Sequence, residues 1–410
     1  MSPAPAGGAE EGIAGLVRDG LLEESVEAVA RGEHALISKK PFKLAEEYWS
    51  TLGPGLVTGL ADNDPSGITT YSQTGARFGT QLLWLPLFTY PFMSVVQEMC
   101  ARIGIVTGRG LAANLRAHTP RAALYSVTAL LFAANAFNVG ADLGAMSAAA
   151  RLLAPSVSIP VFVIAFALLS LALQIFTTYA RYAKYLKYMG LALLSYVVVA
   201  FSVHLDWGNV IRHTLIPSLT ITKGHVFLIA AVLGTTISPY LFFWQTSQEV
   251  EEQILHGGST IALRKSETSP RSVRRMRVDV WSGMLFSNLI AYFIFAACAG
   301  TLFTVAGGAG IQTAADAARA LAPFGAYATW LFAIGVIGAG LLSVPVLAGS
   351  AAYAIAESFG WRYGLYRKLK QAYAFYGVII VAMGIGIIAN LMQLDPINAL
   401  RSLAVANGVI

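Results

Sequence analysis

Two aspartates lie beside a proline and a glycine inside an apolar stretch of the chain, residues 52–76. The run is Asp62-Asn63-Asp64-Pro65-Ser66-Gly67. A helix embedded in lipid is not expected to contain charged side chains or a helix-breaking proline unless they serve a function. Pro65 removes a backbone N–H, and Gly67 tolerates unusual dihedral angles. The run therefore predicts an unwound stretch whose carbonyl and carboxylate oxygens converge on a cation.

The sequence places no basic side chain where it could neutralise these carboxylates. No Lys or Arg lies at a comparable depth in any apolar stretch, and none of the six histidines falls in the middle of one. The two cysteines, Cys100 and Cys298, lie in different apolar stretches and cannot form a thiolate site. A buried, unpaired carboxylate is costly. A metal ion is therefore the natural counter-charge.

A second stretch, residues 225–248, is interrupted in the same way. Its centre reads Gly234-Thr235-Thr236-Ile237-Ser238-Pro239-Tyr240. Pro65 and Pro239 are 174 positions apart, and each lies in the first helix of a predicted five-helix block. Two interrupted helices at corresponding positions indicate an inverted-repeat transporter with a binding site near the membrane midplane.

The rest of the chain has the composition of a polytopic membrane protein. Of its 410 residues, 56% are hydrophobic and only 12% are charged, with a mean hydropathy of +0.61. These values exclude a soluble enzyme, a disordered chain and a fibre. The apolar stretches are continuous rather than alternating, which excludes an outer-membrane barrel. The chain contains no phosphate-binding loop and no HExxH motif, so we do not expect an enzyme.

Nine apolar stretches are long enough to span a bilayer, which needs about 20 residues. They are residues 52–76, 82–104, 122–150, 157–177, 186–205, 225–248, 278–304, 326–357 and 371–393. A tenth begins near Asn398 and stops at Ile410, which is too short to cross, so we expect a truncated sequence. Residues 1–46 are small and charged and predict a cytoplasmic tail. The transporter domain is then residues 47–410.

The positive charges predict the orientation of these spans. With the N-terminus inside, 22 of the 28 Lys and Arg residues fall on the inner side and 6 on the outer side. This asymmetry places the N-terminus in the cytoplasm. The net charge of +6 therefore reflects basic cytoplasmic loops rather than nucleic-acid binding. We expect an integral protein of the bacterial inner membrane, surrounded by lipid.

The two interrupted runs resemble the Nramp family of divalent-metal transporters. The resemblance rests on Gly53-Pro54-Gly55, on Asp64-Pro65-Ser66-Gly67 and on Gly234 to Tyr240. It covers nearly everything after residue 47. It implies an all-α fold of LeuT type, in which two inverted five-helix repeats have discontinuous helices 1 and 6. It also implies transport by alternating access, with no cofactor beside the transported metal.

The chain departs from the usual family pattern at several positions. Asp64 matches the family's metal-binding aspartate, and Thr235 matches a position that offers a backbone carbonyl. At the family's other metal-site positions this chain has Gly67 in place of an asparagine, Ser238 in place of a methionine and Asn407 in place of a glutamine. On the family's proton path it has Tyr240 in place of a histidine, and Asn135 and Asn138 in place of an aspartate and a glutamate.

These departures favour a hard cation that is partly hydrated. Thioethers select softer metals, whereas oxygen ligands suit Mg²⁺ and Mn²⁺. Mg²⁺ also keeps several of its waters, for which Gly67 and Ser238 leave room. Asp62 adds a second carboxylate near the break. The pattern resembles the Nramp-related magnesium transporter branch. The predicted metal-site residues are Asp64, Asp62, Ser238, Thr235, Asn407, Asn138 and Gly67.

The same departures argue against proton coupling. Asparagine does not titrate, and tyrosine has a pKa near 10. With Asn135, Asn138 and Tyr240 in those places, the usual relay is missing. We therefore expect uncoupled Mg²⁺ and Mn²⁺ transport. Two alternatives stay open: a proton-coupled Mn²⁺/Fe²⁺ symporter that uses Asp62 or Asp142 as its relay, and a LeuT-type transporter of an organic solute.

Overall fold

The computed structural model describes residues 48–49, 52–177, 179–203, 205–217, 222–306, 316–318 and 326–392. The chain divides into two units, residues 1–52 and 53–410, and all the helices below belong to the second. The predicted N-terminal tail, residues 1–46, and the predicted tenth span lie outside the described residues.

The described part of the second unit is helical. Its helices are α1 Pro54–Ala61, α2 Pro65–Phe78, α3 Trp84–Thr107, α4 Leu111–His118, α5 Arg121–Leu153, α6 Ile159–Phe176, α7 Tyr179–Met189, α8 Leu194–Ser202, α9 Trp207–Leu215, α10 Lys223–Thr236, α11 Pro239–Leu255, α12 Ile261–Glu267, α13 Pro270–Ala306, α14 Ala326–Phe359 and α15 Tyr373–Leu391. Single 3₁₀ turns lie at Gly79–Leu82, Gly190–Leu193 and Leu369–Gln371.

The helices agree with the nine predicted spans. Seven described helical segments are long and apolar enough to cross a membrane, and they correspond to predicted spans three to nine. The first predicted span is the pair α1 and α2, and the second is α3, which is 24 residues long. The chain is therefore an integral membrane protein with the all-α architecture that its sequence predicts.

Both predicted interruptions are real breaks between two helices. Asp64 is extended, with φ −65° and ψ 162°, and Pro65 begins α2. Ser238 is likewise extended, with φ −91° and ψ 127°, and Pro239 begins α11. A residue before proline is driven out of the helical region, while proline itself suits the first position of a helix. Each proline thus ends one half-helix and begins the next.

The helices pack into two groups around these breaks. In one group, α13 packs against α1, α2 and α3. In the other, α5 packs against α14 and α15. The break between α1 and α2 lies where the groups meet, since α2 also contacts α5 and α14. Buried side chains of both groups can therefore reach the unwound residues.

Glycines allow α1 to approach α13 very closely. A Cβ atom added at Gly59 would lie 2.2 Å from the carbonyl oxygen of Gly283, and one added at Gly55 would lie 2.6 Å from the backbone nitrogen of Val280. Small residues are typical of such helix contacts in membranes. The Asp279 carboxylate also accepts hydrogen bonds from the N–H groups of Gly53, Gly55 and Leu56, at 2.7 to 3.1 Å. Carboxylate and glycines together fix α1 against α13.

Candidate metal site at the two helix breaks

Asp64 lies at the centre of the first break and caps the N-terminus of α2. Its Oδ1 accepts hydrogen bonds from the backbone N–H of Gly67 at 2.6 Å and from the hydroxyl of Ser66 at 2.8 Å. The residue is only 3% exposed. No hydrogen bond to its second oxygen, Oδ2, occurs among the described residues. The cap fixes the carboxylate while leaving one oxygen free for another ligand.

Gly67 lies directly against the oxygens of the first break. A Cβ atom at this position would lie 3.0 Å from Asp64 Oδ1, 3.1 Å from the Thr235 hydroxyl oxygen and 3.5 Å from the Asp62 carbonyl oxygen. Two oxygens of the first break and one of α10 therefore lie within 3.5 Å of the same point beside Gly67. Gly67 provides no ligand of its own, and a side chain at this position would press against these oxygens.

Asp62 directs its carboxylate away from that point. The Ser287 hydroxyl on α13 donates a hydrogen bond to Asp62 Oδ2 at 2.6 Å, while Asp62 Oδ1 has no hydrogen-bond partner among the described residues. The Asn63 amide donates to both the carbonyl and the hydroxyl oxygen of Ser287, each at 3.1 Å. The backbone carbonyl of Asp62, rather than its side chain, faces Gly67. A direct role of the Asp62 carboxylate stays a prediction.

Ser238 occupies the second break, next to Pro239. Its hydroxyl donates back to the carbonyl oxygens of Thr235, at 2.7 Å, and Gly234, at 3.2 Å. Such back-bonding binds carbonyls that α10 leaves free at its C-terminus. The Thr235 carbonyl is thus engaged in this structure, whereas the Thr235 hydroxyl faces Gly67. Metal contacts by both residues stay predictions.

Two tyrosines connect the first broken helix to the second. The Tyr240 hydroxyl donates to the Ala61 carbonyl at 2.9 Å, and the Tyr71 hydroxyl lies 3.1 Å from the Thr236 hydroxyl oxygen. Both rings are buried. Tyr240 therefore closes the end of α1, and a tyrosine hydroxyl does not ordinarily titrate near neutral pH.

The two asparagines of α5 have different surroundings. The Asn135 amide donates to the Leu347 carbonyl at 3.0 Å and to the Ser350 hydroxyl at 2.7 Å, so it connects α5 to α14. Asn138 is 6% exposed and has no hydrogen bond within the described part of the chain. Asn135 is an interhelical polar contact of the kind common in membrane proteins. The proposed contact of Asn138 with a hydrated ion stays a prediction.

Asp142, on α5, is a further buried carboxylate. It is fully buried, and the Ser343 hydroxyl, midway along α14, donates to its Oδ2 at 2.7 Å. Three serines that donate hydrogen bonds to the buried aspartates were missed by sequence reasoning: Ser66 for Asp64, Ser287 for Asp62 and Ser343 for Asp142. Only Ser66, inside the Asp-Pro-Ser-Gly run, carried a signal that could have identified it.

The remaining predicted ligand, Asn407, lies outside the described residues. Among the residues that the structure does describe, no group of three or more His, Cys, Asp and Glu side chains could hold a metal ion. The oxygens at the break are instead one carboxylate, a hydroxyl and a backbone carbonyl. Oxygen donors of this kind, with room for water, suit hard divalent cations.

An apolar helical bundle with two helices broken beside a buried carboxylate defines a membrane transport protein of LeuT type. Solved structures share this fold. A mutant of the manganese transporter of Eremococcus coleocola is similar over 89% of this chain and 76% of that one, with a TM-score of 0.66 and 18% identity. A nucleobase-cation-symport-1 family transporter is similar over 86% and 75%, with a TM-score of 0.59 and 13% identity.

The family follows from the sequence comparison. The model of the Nramp family, described as natural resistance-associated macrophage protein-like, matches residues 55–410, and the chain therefore belongs to this family of membrane transporters. Two relatives are named divalent metal cation transporter MntH. The protein from Aeromonas hydrophila is 26% identical over 85% of this chain and 82% of its own length. The protein from Klebsiella pneumoniae is 30% identical over 72% and 69%.

Proposed function

We propose that this chain carries divalent metal ions, Mg²⁺ and Mn²⁺, across the membrane by alternating access and without proton coupling. The observation that carries the proposal is the break at Asp64: a capped carboxylate with one oxygen free, beside a space lined by the Thr235 hydroxyl and the Asp62 carbonyl. The named relatives transport divalent metal cations, and one similar structure is a manganese transporter. The metal is the transported substrate, and no cofactor is needed.

The preference for a hard ion rests on the ligands around the break. Gly67 and Ser238 replace larger side chains, and the Ser238 hydroxyl is turned back onto its own helix. The space that results has oxygen donors and no thioether. Mg²⁺ sheds its waters reluctantly, so an open site lined by oxygens favours it more than a closed one does. On this proposal the chain would belong to the magnesium-type branch of the family.

The absence of proton coupling rests on α5 and on Tyr240. Asn135 forms interhelical hydrogen bonds, and the Tyr240 hydroxyl is bonded to a backbone carbonyl. Neither group exchanges protons near neutral pH. A proton-coupled Mn²⁺/Fe²⁺ symporter is the second candidate, because Asp142 provides a buried carboxylate on the helix that holds the usual relay. The organic-solute alternative is disfavoured, since Asp64 would repel a substrate carboxylate.

The test is Mn²⁺ uptake into proteoliposomes that contain a pH-sensitive dye. We expect saturable uptake that millimolar Mg²⁺ inhibits, with a flat internal pH trace. Uptake that is indifferent to Mg²⁺ and acidifies the lumen would replace the proposal with the proton-coupled symporter. Empty liposomes and liposomes with the Asp64→Asn variant are the controls for leakage. If wild-type protein takes up neither ion, divalent-metal transport itself is wrong.

A further inference from the structure

Asp142 is a buried carboxylate with one oxygen unpaired. Its Oδ2 accepts the hydrogen bond from Ser343, but its Oδ1 has no hydrogen-bond partner among the described residues. No Lys, Arg or His forms an ion pair with it in that part of the chain. An unpaired carboxylate oxygen costs free energy when it is removed from water. A cation beside Oδ1 would complete the environment of Asp142.

The residues around Asp142 bring it to the first helix break. A Cβ atom added at Gly340 on α14 would lie 2.2 Å from the sulfur of Met146 on α5 and 3.2 Å from Cγ of Pro65 on α2. Asp142 lies one turn before Met146 on α5, and its partner Ser343 lies one turn after Gly340 on α14. Three helices thus meet where Asp142, Ser343 and the N-terminus of α2 lie.

Electrostatic interactions join Asp142 to the same break. The Asp64 carboxylate and the backbone amide of Ser66 both act electrostatically on the Asp142 carboxylate, which therefore faces the first break. When both are deprotonated, these two carboxylates carry a charge of about −2, with no basic partner among the described residues. One divalent cation between them would neutralise that charge and replace the repulsion by two attractions.

We infer that Asp142 is a second carboxylate of the cation site and that its Oδ1 holds the transported divalent ion, or one of the ion's bound waters, opposite Asp64. The inference rests on the proposed function and specifies its site. Asp64 precedes α2, in the helix group that includes α13, whereas Asp142 lies on α5 in the other group. The bound ion therefore contacts both helix groups, so its entry and exit involve carboxylates of both.

Asp62 is the competing second carboxylate, because its Oδ1 is also unpaired. Its carboxylate is bonded to Ser287 on α13, the helix against which α1 packs. An ion held by Asp62 and Asp64 would contact one helix group alone. The two arrangements therefore predict different positions for the ion and different effects of neutralising each carboxylate.

The first experiment measures Mn²⁺ binding to the detergent-solubilised full chain by electron paramagnetic resonance, which counts free Mn²⁺ without requiring transport. The Asp142→Asn variant keeps an acceptor for the Ser343 hydroxyl but loses the charge. We expect its Kd to rise about 10- to 100-fold. The Asp142→Glu variant keeps the charge, and its Kd should stay within about tenfold of wild type.

A matched control is Ser147→Ala on the same helix. Ser147 is buried, and its hydroxyl donates to the Leu143 carbonyl within α5 at 2.6 Å. Its removal should leave the Kd unchanged. An unaltered Kd in Asp142→Asn, with Asp64→Asn inactive in binding, would overturn this inference and leave the proposed function standing. Absence of Mn²⁺ binding by the wild-type chain would overturn both.

A second measurement does not depend on any variant being folded. Anomalous diffraction from wild-type crystals soaked in Mn²⁺ locates the ion directly. A peak within about 5 Å of both Asp64 and Asp142 carboxylates, the range that one bridging water allows, would support the inference. A peak between Asp64 and the Asp62 carboxylate, away from Asp142, would overturn it.

Discussion

Two regions of this protein contain acidic side chains that are buried to the same extent but differ in the hydrogen bonding of their carboxylate oxygens. Around the helix breaks, Asp62 and Asp142 each have one oxygen that no described residue pairs with. At the end of the bundle predicted to face the cytoplasm, Glu251 accepts hydrogen bonds on both oxygens, from the Tyr353 hydroxyl at 2.6 Å and from the N–H groups of Leu365 and Tyr366 at 2.8 and 3.0 Å.

Glu357 repeats the pattern of Glu251. One of its oxygens accepts from the Ser247 hydroxyl at 3.0 Å, and the other accepts from the backbone N–H of Ala113 at 3.1 Å. Both glutamates are 2% exposed. Glu251 connects α11 to the segment that follows α14, and Glu357 connects α14 to α4 and α11. These carboxylates join helices and have no oxygen left for an ion.

The difference shows that burial alone does not identify a binding carboxylate. A carboxylate whose oxygens all accept hydrogen bonds is stabilised by the protein, and an added cation would have to displace those donors. A carboxylate with a free oxygen and no basic neighbour gains from a cation instead. We therefore assign structural roles to Glu251 and Glu357, and we propose an ion-binding role for Asp64 and Asp142.

The largest effect is expected from removing the charge of Asp64. Asparagine is an equally good N-cap, so the Asp64→Asn variant should fold and keep the start of α2. Loss of the charge should lower Mn²⁺ uptake by roughly 100-fold or more, corresponding to about 3 kcal/mol. Initial rates in proteoliposomes measure the change, and size-exclusion chromatography verifies folding. A well-folded variant with normal uptake would refute the site.

Removing the Glu251 carboxylate should lower stability and leave metal binding nearly unchanged. The Glu251→Ala variant leaves the Tyr353 hydroxyl and the amides of Leu365 and Tyr366 without their acceptor, at a cost of roughly 2–4 kcal/mol. The midpoint of thermal unfolding in detergent should fall, while the Mn²⁺ Kd stays within about threefold of wild type.

The neighbouring residue provides the control for this prediction. Glu252 is 33% exposed and lies 3.7 Å from His256. Exposed ion pairs contribute little, so Glu252→Ala should leave the unfolding midpoint nearly unchanged. A large rise of the Mn²⁺ Kd in Glu251→Ala, without a lower unfolding midpoint, would contradict the structural role of Glu251.

A smaller and more selective effect is expected at Gly67. The Gly67→Ala variant places a methyl group about 3 Å from oxygens of Asp64 and Thr235 and narrows the space between them. Binding of a hydrated ion should weaken most, because such an ion needs room for its waters. The Mg²⁺ concentration that halves Mn²⁺ uptake should rise about tenfold.

Gly377→Ala is the matched control, since an added Cβ atom there meets nothing within 4 Å. It should change neither uptake nor Mg²⁺ inhibition. Equal inhibition by Mg²⁺ in Gly67→Ala and wild type would show that the space at Gly67 does not hold hydration water.

The smallest effect is expected from Asn135. The Asn135→Ala variant loses the hydrogen bonds to Leu347 and Ser350, each contributing about 1 kcal/mol to stability. Its unfolding midpoint should fall slightly, while Mn²⁺ uptake and the flat internal pH trace stay as in wild type. A large loss of uptake at full stability would place Asn135 in the transport path and contradict its assignment as an interhelical contact.

Much of the architecture could be predicted because it depends on local patterns. Length and hydropathy predicted the spans, and the prolines at positions 65 and 239 predicted the two breaks, since proline acts on its own turn of helix. Asp64 could be identified because it is both the residue before a proline and a carboxylate in an apolar stretch. The direction of the Asp62 side chain was not predictable, because its partner Ser287 is 225 positions away.

The sequence by itself thus determined the membrane-embedded helices, the paired breaks and the carboxylate at the first of them. Only the tertiary structure decided which buried acids keep a free oxygen. Asp142 meets Ser343 across 201 positions, and Glu251 meets the amides of residues 365 and 366 across more than 110. Whether a buried carboxylate is satisfied depends on donors brought by other helices. No local pattern contains that information.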